Sequence, residues 1–320
     1  MNEREVHSRF SPPYPHLYIY HLNASVPCDR NLFGETFIGN WEEEDSSFLF
    51  FSKPAEDIVK QVVSRHPGVS LLEGYDMSYE QWQGDAVTSF KAGRFLVQPP
   101  WEITENISRT TRRAHHTNRG ATCGVVARRA TGEVEAVRRS PKPQSGDLPI
   151  ILDPGVVFGT GTHPTTRDCL TALEIAFSRE KVITVLDLGT GTGLLALAAA
   201  RLGARHTIAV DLNFLAVQTT ADNIRRNVLE DRIIAVQGRA EEMVPISADL
   251  LIANIHYDVM QHIVASDSFL EKGAFILSGI LRSQARELEA RLAELKCSVL
   301  RRWVHEDTWF TFYGTTTLDQ

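Results

Sequence analysis

Apolar runs and helical repeats alternate regularly over residues 150–320. The first five runs are separated by segments of helical period, such as residues 194–204, 213–228 and 283–295. Continuous apolar strands that alternate with helices are typical of a parallel sheet covered on both faces. The last two runs are joined by a short polar turn, so we expect an antiparallel hairpin at the sheet edge. The predicted strands are VITVLDL (182–188), HTIAVDL (206–212), RIIAVQG (232–238), ADLLIAN (248–254), GAFILSG (273–279), CSVLRRWVHE (297–306) and WFTFYGTT (309–316).

The N-terminal part of the chain mixes strand and helix patterns. Aromatic and β-branched residues predict strands in HLYIYHLN (16–23), SSFLFFS (46–52) and GRFLVQPP (93–100). The segment 54–68 reads as a helix, with Pro54 near its start and Gly68 just beyond its end. We therefore predict a small α+β domain over residues 1–101, placed before an α/β domain over residues 150–320.

Residues 102–149 form a basic insertion between these two domains. Between Asn106 and Pro143 there are nine arginines or lysines and two acids, so this piece carries +7 while the rest of the chain carries −14. We expect a hairpin around Thr131 and Gly132. Two interpretations stay open: a solvated insertion, or an arm that contacts RNA or an acidic protein surface.

The totals exclude several classes of protein. A net charge of −7 argues against general affinity for nucleic acid, and no apolar run approaches the roughly 20 residues of a membrane helix. The N-terminus lacks the apolar run of a signal peptide. The four cysteines are far apart and form no CxxC pair, so we expect neither disulfides nor a metal site. A cytoplasmic protein without membrane contact is the expectation.

A glycine cluster follows the first strand of the α/β domain. VLDLGTGTGLLALAAA places Gly189, Gly191 and Gly193 where the backbone turns sharply into a helix. A dinucleotide site has its third glycine at the position of Leu194. The spacing G-x-G-x-G, preceded by the acid Asp187, is instead typical of methyltransferases that use S-adenosyl-L-methionine (SAM). A tight turn without a ligand remains the alternative.

Two further strand ends carry polar side chains. Asp211 ends the second predicted strand, where a carboxylate can accept hydrogen bonds from both hydroxyls of a ribose; the alternative is a helix cap, with Asn213 as its competitor. Asn254 ends the fourth strand and can accept a hydrogen bond from an attacking amine. His256, Tyr257 and Asp258 follow it, and each is either an aid to amine deprotonation or a packing or surface residue.

The segment DPGVVFGTGTHPTT (153–166) leads into a predicted helix. Pro164 suits the first turn of that helix, and the hydroxyls of Thr162, Thr165 and Thr166 are candidate caps. A helix N-terminus with free N–H groups also suits an anion such as the carboxylate of a methionine moiety. Phe158 is a candidate to cover an adenine or to shield a reactive methyl group.

Five motifs together resemble the PrmA family of ribosomal protein L11 methyltransferases, over about residues 150–315. That resemblance implies a Rossmann-like methyltransferase domain behind an N-terminal substrate-recognition domain. It also implies SAM as the methyl donor, protein lysine ε-amines and an N-terminal α-amine as acceptors, and SAM contacts from Thr166, Gly189, Asp211 and Asn254. The motifs are LDPGVVFGTGTHPTT, VLDLGTGTGLLALAA, AVDLNFLAVQTTADNIRRN, DLLIANI and LSGIL.

The sequence therefore favours a SAM-dependent N-methyltransferase that acts on a protein, with a large-subunit ribosomal protein as the expected substrate. Two alternatives remain. One is a noncatalytic SAM-binding or ribosome-binding adaptor that uses the basic insertion for affinity. The other is an NAD-dependent oxidoreductase, which Leu194 at the third-glycine position disfavours.

Overall fold

The computed structural model describes residues 14–27, 30–43, 46–84, 87–103, 141 and 144–316. Most of the basic insertion, including the predicted hairpin around residues 131–132, lies outside these ranges. The predicted domain borders at 101/102 and 149/150 therefore stay predictions. None of the helices in the described ranges is both long and apolar enough to span a membrane.

The N-terminal part consists of β1 (His16–Leu22), α1 (Arg30–Phe33), β2 (Phe37–Glu43), β3 (Ser46–Phe51), α2 (Glu56–Arg65), β4 (Leu71–Ser78) and α3 (Tyr79–Gln83). Its four strands form an antiparallel sheet in the order β2-β3-β1-β4. Side chains alternate between the two faces of this sheet, as the strand period requires. Tyr20 and Leu22 pack toward α2, while Leu17 and Ile19 face the larger domain. The predicted strands at residues 16–23 and 46–52 and the predicted helix are confirmed; α1, β2, β4 and α3 were not predicted.

A three-stranded sheet follows, made of β5 (Phe90–Ala92), β6 (Phe95–Gln98) and β7 (Leu148–Ile151). The strand predicted at 93–100 exists as β6, but it pairs with β5 and β7 and not with the four-stranded sheet. Its burial explains this, because Phe95 and Val97 pack with Ile150 into the core of the larger domain. The expectation that this strand completes the N-terminal domain was therefore wrong.

The larger domain consists of α4 (Pro164–Arg179), β8 (Thr184–Leu188), α5 (Leu194–Leu202), β9 (His206–Asp211), α6 (Phe214–Asn227), β10 (Ile233–Gln237), α7 (Ala240–Met243), β11 (Leu250–Asn254), α8 (Tyr257–Ala265), β12 (Ala274–Leu281), α9 (Arg282–Glu294), β13 (Ser298–His305) and β14 (Trp309–Thr315). Its seven strands form one sheet in the order β10-β9-β8-β11-β12-β14-β13. Five strands run parallel, and β14 runs antiparallel to both of its neighbours, which confirms the predicted α/β fold with its edge hairpin.

Helices cover both faces of this sheet. Residues of α4, α5 and α6 pack on one face against alternate strand residues such as Val185 and Ile252. Residues of α8 and α9 pack on the other face against their neighbours Leu186 and Leu251. Because β8, β9 and β11 are parallel, they end at the same edge of the sheet, and an open sheet of this kind binds its ligand at that edge.

Candidate functional site

The glycine loop connects β8 to α5 and is fastened to the neighbouring strand. The N–H groups of Gly189 and Thr190 both donate to the carbonyl oxygen of Val210, at 2.9 Å. Gly191 has φ +58°, and a Cβ at this position would stand 2.6 Å from the carbonyl oxygen of Phe158. The backbone of the segment 153–163 therefore lies against the glycine loop and fills the space where a side chain at Gly191 would stand.

Asp187 lies in β8 just before the glycine loop, and its side chain is fully buried, with 1% of the residue exposed. Its Oδ2 accepts a hydrogen bond from the Thr190 hydroxyl at 2.7 Å. Burial raises the pKa of this carboxyl to about 7, and the nearby Asp211 adds to the rise. Because the side chain is buried and already paired, it supports the loop from within. An interaction of this acid with the cationic ammonium of SAM stays a prediction.

Asp211 ends β9 and reaches the glycine loop. Oδ2 accepts a hydrogen bond from the N–H of Gly191 and Oδ1 accepts one from the N–H of Asn213, each at 2.9 Å. The cap of α6 is Asn213, whose side chain accepts from the N–H of Leu215. Each carboxylate oxygen of Asp211 keeps a second lone pair. The side chain is therefore fixed in place and still able to accept hydrogen bonds.

The helix α4 begins with Pro164, as predicted, but the predicted caps are wrong. The N-cap residue is His163, whose side chain makes no capping hydrogen bond in the described part of the chain. Thr162 pairs instead with Thr160, and the Thr165 hydroxyl lies 2.7 Å from Nδ1 of His163. Thr166 interacts with Asn254. Pro164 has no N–H, and the N–H groups of Thr166 and Arg167 donate to the carbonyl oxygen of His163. Among the described residues of this first turn, the N–H of Thr165 is therefore the one left to suit an anion.

Asn254 and Thr166 are far apart in the sequence and meet at this edge. Nδ2 of Asn254 donates to Oγ1 of Thr166 at 3.5 Å, and Oδ1 of Asn254 accepts no hydrogen bond from the residues that the structure describes. Gly279 lies beneath that oxygen, since a Cβ there would stand 3.1 Å from it. The structure therefore brings together two residues that the resemblance assigned to one ligand.

The residues after Asn254 separate into different environments. His256 is exposed and forms the N-cap position of α8, and Asp258 is exposed in the first turn. Tyr257 is partly buried, and its pKa is raised by burial and by a hydrogen bond with Glu287. Its hydroxyl is thus committed to α9. This geometry supports a packing role for Tyr257 and leaves Asn254 as the polar side chain aimed at the edge.

Aromatic and imidazole side chains line the neighbouring part of the edge. The ring of His163 lies 5.0 Å from that of Trp309 and 6.1 Å from that of Phe158, which is 65% exposed. Burial lowers the pKa of His163, and His305 lowers it further. Both effects favour the neutral form of this imidazole.

A buried carboxylate completes this cluster. Nε2 of His305 lies 3.0 Å from the carboxylate of Asp168. Burial raises the pKa of Asp168, and the interaction with His305 partly offsets that rise. The sequence interpretation missed His163, Trp309, His305 and Asp168. The histidine inside the glycine-rich segment and the tryptophan that opens the last strand were the available signals.

Comparisons with known proteins point to one family. The family model for ribosomal protein L11 methyltransferase (PrmA) matches residues 132–317. The ribosomal protein L11 methyltransferase of Desulfitobacterium hafniense (strain DSM 10664 / DCB-2) is 31% identical over 278 residues, which cover 85% of this chain and 76% of that protein. The one from Alkaliphilus oremlandii (strain OhILAs) is 44% identical over 141 residues, 43% of this chain and 44% of that protein.

A solved structure supports the fold. The crystal structure of ribosomal protein L11 methylase from Lactobacillus delbrueckii subsp. bulgaricus superimposes with a TM-score of 0.52 at 24% identity, and covers 71% of this chain and 98% of that one. The sequence matches and the shared architecture agree. The chain belongs to the ribosomal protein L11 methyltransferase (PrmA) family.

Proposed function

We propose that this chain transfers a methyl group from SAM to amino groups of a protein, namely lysine ε-amines, an N-terminal α-amine or both. The substrate we propose is the large-subunit ribosomal protein for which its relatives are named. The observation that carries the proposal is the pairing of Asn254 with Thr166, at the sheet edge where Asp211 fastens the glycine loop.

The described residues at this edge fit SAM. The carboxylate of Asp211 accepts hydrogen bonds from two backbone N–H groups, and its remaining lone pairs can accept bonds from the two hydroxyls of a ribose. The N–H of Thr165, in the first turn of α4, is available to the carboxylate of the methionine part. The exposed ring of Phe158 provides an apolar surface above the glycine loop. When bound, SAM supplies an electrophilic methyl carbon.

The chain's own residues would prepare the acceptor amine. Oδ1 of Asn254 can accept a hydrogen bond from the amine and hold its lone pair in line, which matters more for methyl transfer than a strong base does. A lysine has a pKa of about 10.4 in water, and its neutral form is favoured where water is excluded. We expect the rings of Trp309 and Phe158, which both lie near His163, to shield a bound amine from water. Burial favours the neutral form of His163, which adds no charge there.

The test is methyl transfer from labelled SAM. Purified protein is incubated with methyl-labelled SAM and either ribosomal protein L11 or a cell extract, and mass spectrometry identifies the labelled residue. We expect label on an amino nitrogen of that ribosomal protein. Binding of SAM without transfer to any protein would favour the adaptor, and binding of NAD in place of SAM would favour the oxidoreductase.

The basic insertion remains a separate question. We propose that it contributes weak contacts to RNA or to an acidic protein surface, on the basis of its charge of +7. Deletion of residues 106–143 should leave the affinity for SAM intact, because the site described above is built from residues 153–309. A ribosomal protein substrate also accords with the cytoplasmic location that the sequence predicts.

A further inference from the structure

The N-terminal domain contacts the segment that leads into the site. We call residues 153–163 the cofactor loop. Three donors of α3 bond to its backbone: Tyr79 Oη and Gln83 Nε2 donate to the carbonyl oxygen of Gly155, at 2.7 and 2.8 Å, and Trp82 Nε1 donates to that of Val156 at 3.0 Å. Two neighbouring carbonyl groups of the loop thus take their partners from the other domain.

Apolar packing reinforces these hydrogen bonds. Val156 and Val157 are buried in a cluster whose other members come from the four-stranded sheet, from α3 and from the first turn of α6. The first turn of α6 follows directly after Asp211 and its cap Asn213. The N-terminal domain therefore touches two of the segments near the proposed SAM contacts: the one that carries Phe158 and the one that follows Asp211. The cluster consists of Leu17, Ile19, Phe50, Tyr79, Val156, Val157, Leu215 and Ala216.

A short path connects these contacts to the glycine loop. Phe158 follows Val156 by two residues, and its carbonyl oxygen lies against Gly191. The next residue, Gly159, accepts a hydrogen bond from the Thr192 hydroxyl at 2.7 Å. A displacement of Val156 would therefore move the backbone that rests on the glycine loop.

The cofactor loop needs such support because of its composition. Gly155, Gly159 and Gly161 have φ values of +55°, +109° and +87°. Glycine loses more conformational entropy on ordering than other residues do. Hydrogen bonds from a neighbouring domain raise the fraction of molecules in which the loop is in its ordered position, and the apparent affinity of a ligand scales with that fraction.

We propose that Tyr79, Trp82 and Gln83 are positioning residues through which the N-terminal domain holds the cofactor loop in its binding conformation. Docking of that domain and binding of SAM are then coupled, and each favours the other. This inference rests on the proposed function, because it takes SAM as the ligand of the site. It gives the N-terminal domain a role beyond substrate recognition: the domain is held in place when the methyl donor is loaded.

The test replaces the three donor side chains by apolar ones that cannot donate a hydrogen bond. The variants are Tyr79→Phe, Trp82→Phe, Gln83→Met and the triple replacement, made in the full chain. Calorimetry with SAM is run well below the midpoint of thermal unfolding of every variant. We expect each single variant to weaken binding about twofold to fivefold and the triple variant at least tenfold.

Tyr20→Phe is the matched control. Its hydroxyl accepts a hydrogen bond from the N–H of Ala55, within the N-terminal domain and away from the cofactor loop. We expect this variant to lose thermal stability as Tyr79→Phe does, and to bind SAM as the wild type does. If the triple variant fails to fold, Trp82→Phe decides, since Trp82 is partly exposed and a phenylalanine ring retains its packing on Phe50.

The outcomes separate the two proposals. A wild-type chain that does not bind SAM would overturn the proposed function and this inference together. A wild type that binds SAM, with variants whose affinity is unchanged or no weaker than that of Tyr20→Phe, would overturn the inference alone. Hydrogen exchange provides a reciprocal readout: SAM should slow exchange in residues 71–83 of the wild type, and the triple variant should lose that protection.

Discussion

Replacement of Asp211 by asparagine probes the ribose site with little change in shape. The two carboxylate oxygens are each held at 2.9 Å by a backbone N–H, of Gly191 and of Asn213. An asparagine keeps one acceptor oxygen and turns the other into an NH₂ donor. In either orientation, that NH₂ group meets one of these N–H groups and can no longer accept a hydrogen bond from a ribose hydroxyl.

The expected loss follows from these contacts. A hydrogen bond to a charged group is worth about 1.5–3 kcal/mol, and the variant removes one such bond to the ligand. The dissociation constant for SAM should therefore rise by roughly 10-fold to 150-fold. The lost anchor at Gly191 or Asn213 acts in the same direction, because it loosens the loop or the start of α6.

Calorimetry with SAM measures this loss, and Asp231→Asn is the control. Asp231 is exposed, and its ion pair with Arg232 is long, at 3.9 Å, so its replacement should leave binding unchanged. Thermal unfolding of both variants shows whether the fold is intact. An affinity of Asp211→Asn within twofold of the wild type would remove Asp211 from the ligand site and refute the reasoning above.

Three further outcomes are expected. Burial holds the pKa of Asp187 at about 7 in the folded chain, against about 3.9 in the unfolded chain. The ionised carboxylate therefore lowers the free energy of unfolding by about 4 kcal/mol above pH 7, and this penalty shrinks as the pH falls toward 4. Urea unfolding of Asp187→Asn should therefore depend less on pH over that range than unfolding of the wild type. Gly191→Ala should weaken SAM binding at least tenfold in calorimetry, because its methyl group would stand 2.6 Å from the Phe158 carbonyl oxygen and its φ of +58° disfavours a side chain. Asn254→Ala should lower kcat about 100-fold in the methylation assay and weaken SAM binding far less, since it removes the group that aligns the amine.

Each of these outcomes has a contrary result. Equal pH dependence of the two proteins would mean that the Asp187 carboxyl is not protonated near neutral pH. For Gly191 the control is Gly203→Ala, where φ is +120° and an added Cβ meets open space among the described residues. Equal SAM affinity of the two glycine variants would show that the contact between Gly191 and the Phe158 carbonyl oxygen does not affect SAM binding. An Asn254→Ala enzyme with wild-type kcat would exclude an aligning role for that amide.

Local patterns were enough to predict the larger domain and the edge that holds the site. Each strand and helix there carries its own hydrophobic period, and the parallel order brings the strand ends to one edge. Asp211 and Asn254 were predicted at strand ends, and the structure places them there. Their roles toward SAM and toward the amine remain predictions, because a strand end fixes the position of a side chain and not its ligand.

Long-range contacts could not be predicted in this way. Five of the eight residues of β4 are exposed and the other three are half-buried, so its sequence lacks the alternating hydrophobic pattern of a strand with one buried face. The pairing of β6 with β7 joins segments on either side of the basic insertion. The hydroxyls of Thr165 and Thr166, in the first turn of α4, have capping chemistry, yet His163 and Asn254 engage them. The contact of Thr165 with His163 is local, whereas in the other cases a partner distant in sequence decided the outcome.

The direction of β14 has a practical consequence for attaching this protein to a surface. Trp309, at the first position of the strand, lies against His163, while the last position, Thr315, pairs with Ala274 at the start of β12. Seven residues of extended chain cover about 20 Å. A tether attached next to Thr315 would lie at the opposite end of the strands from His163. Immobilised molecules should therefore leave the edge that carries the proposed site accessible to a large protein substrate.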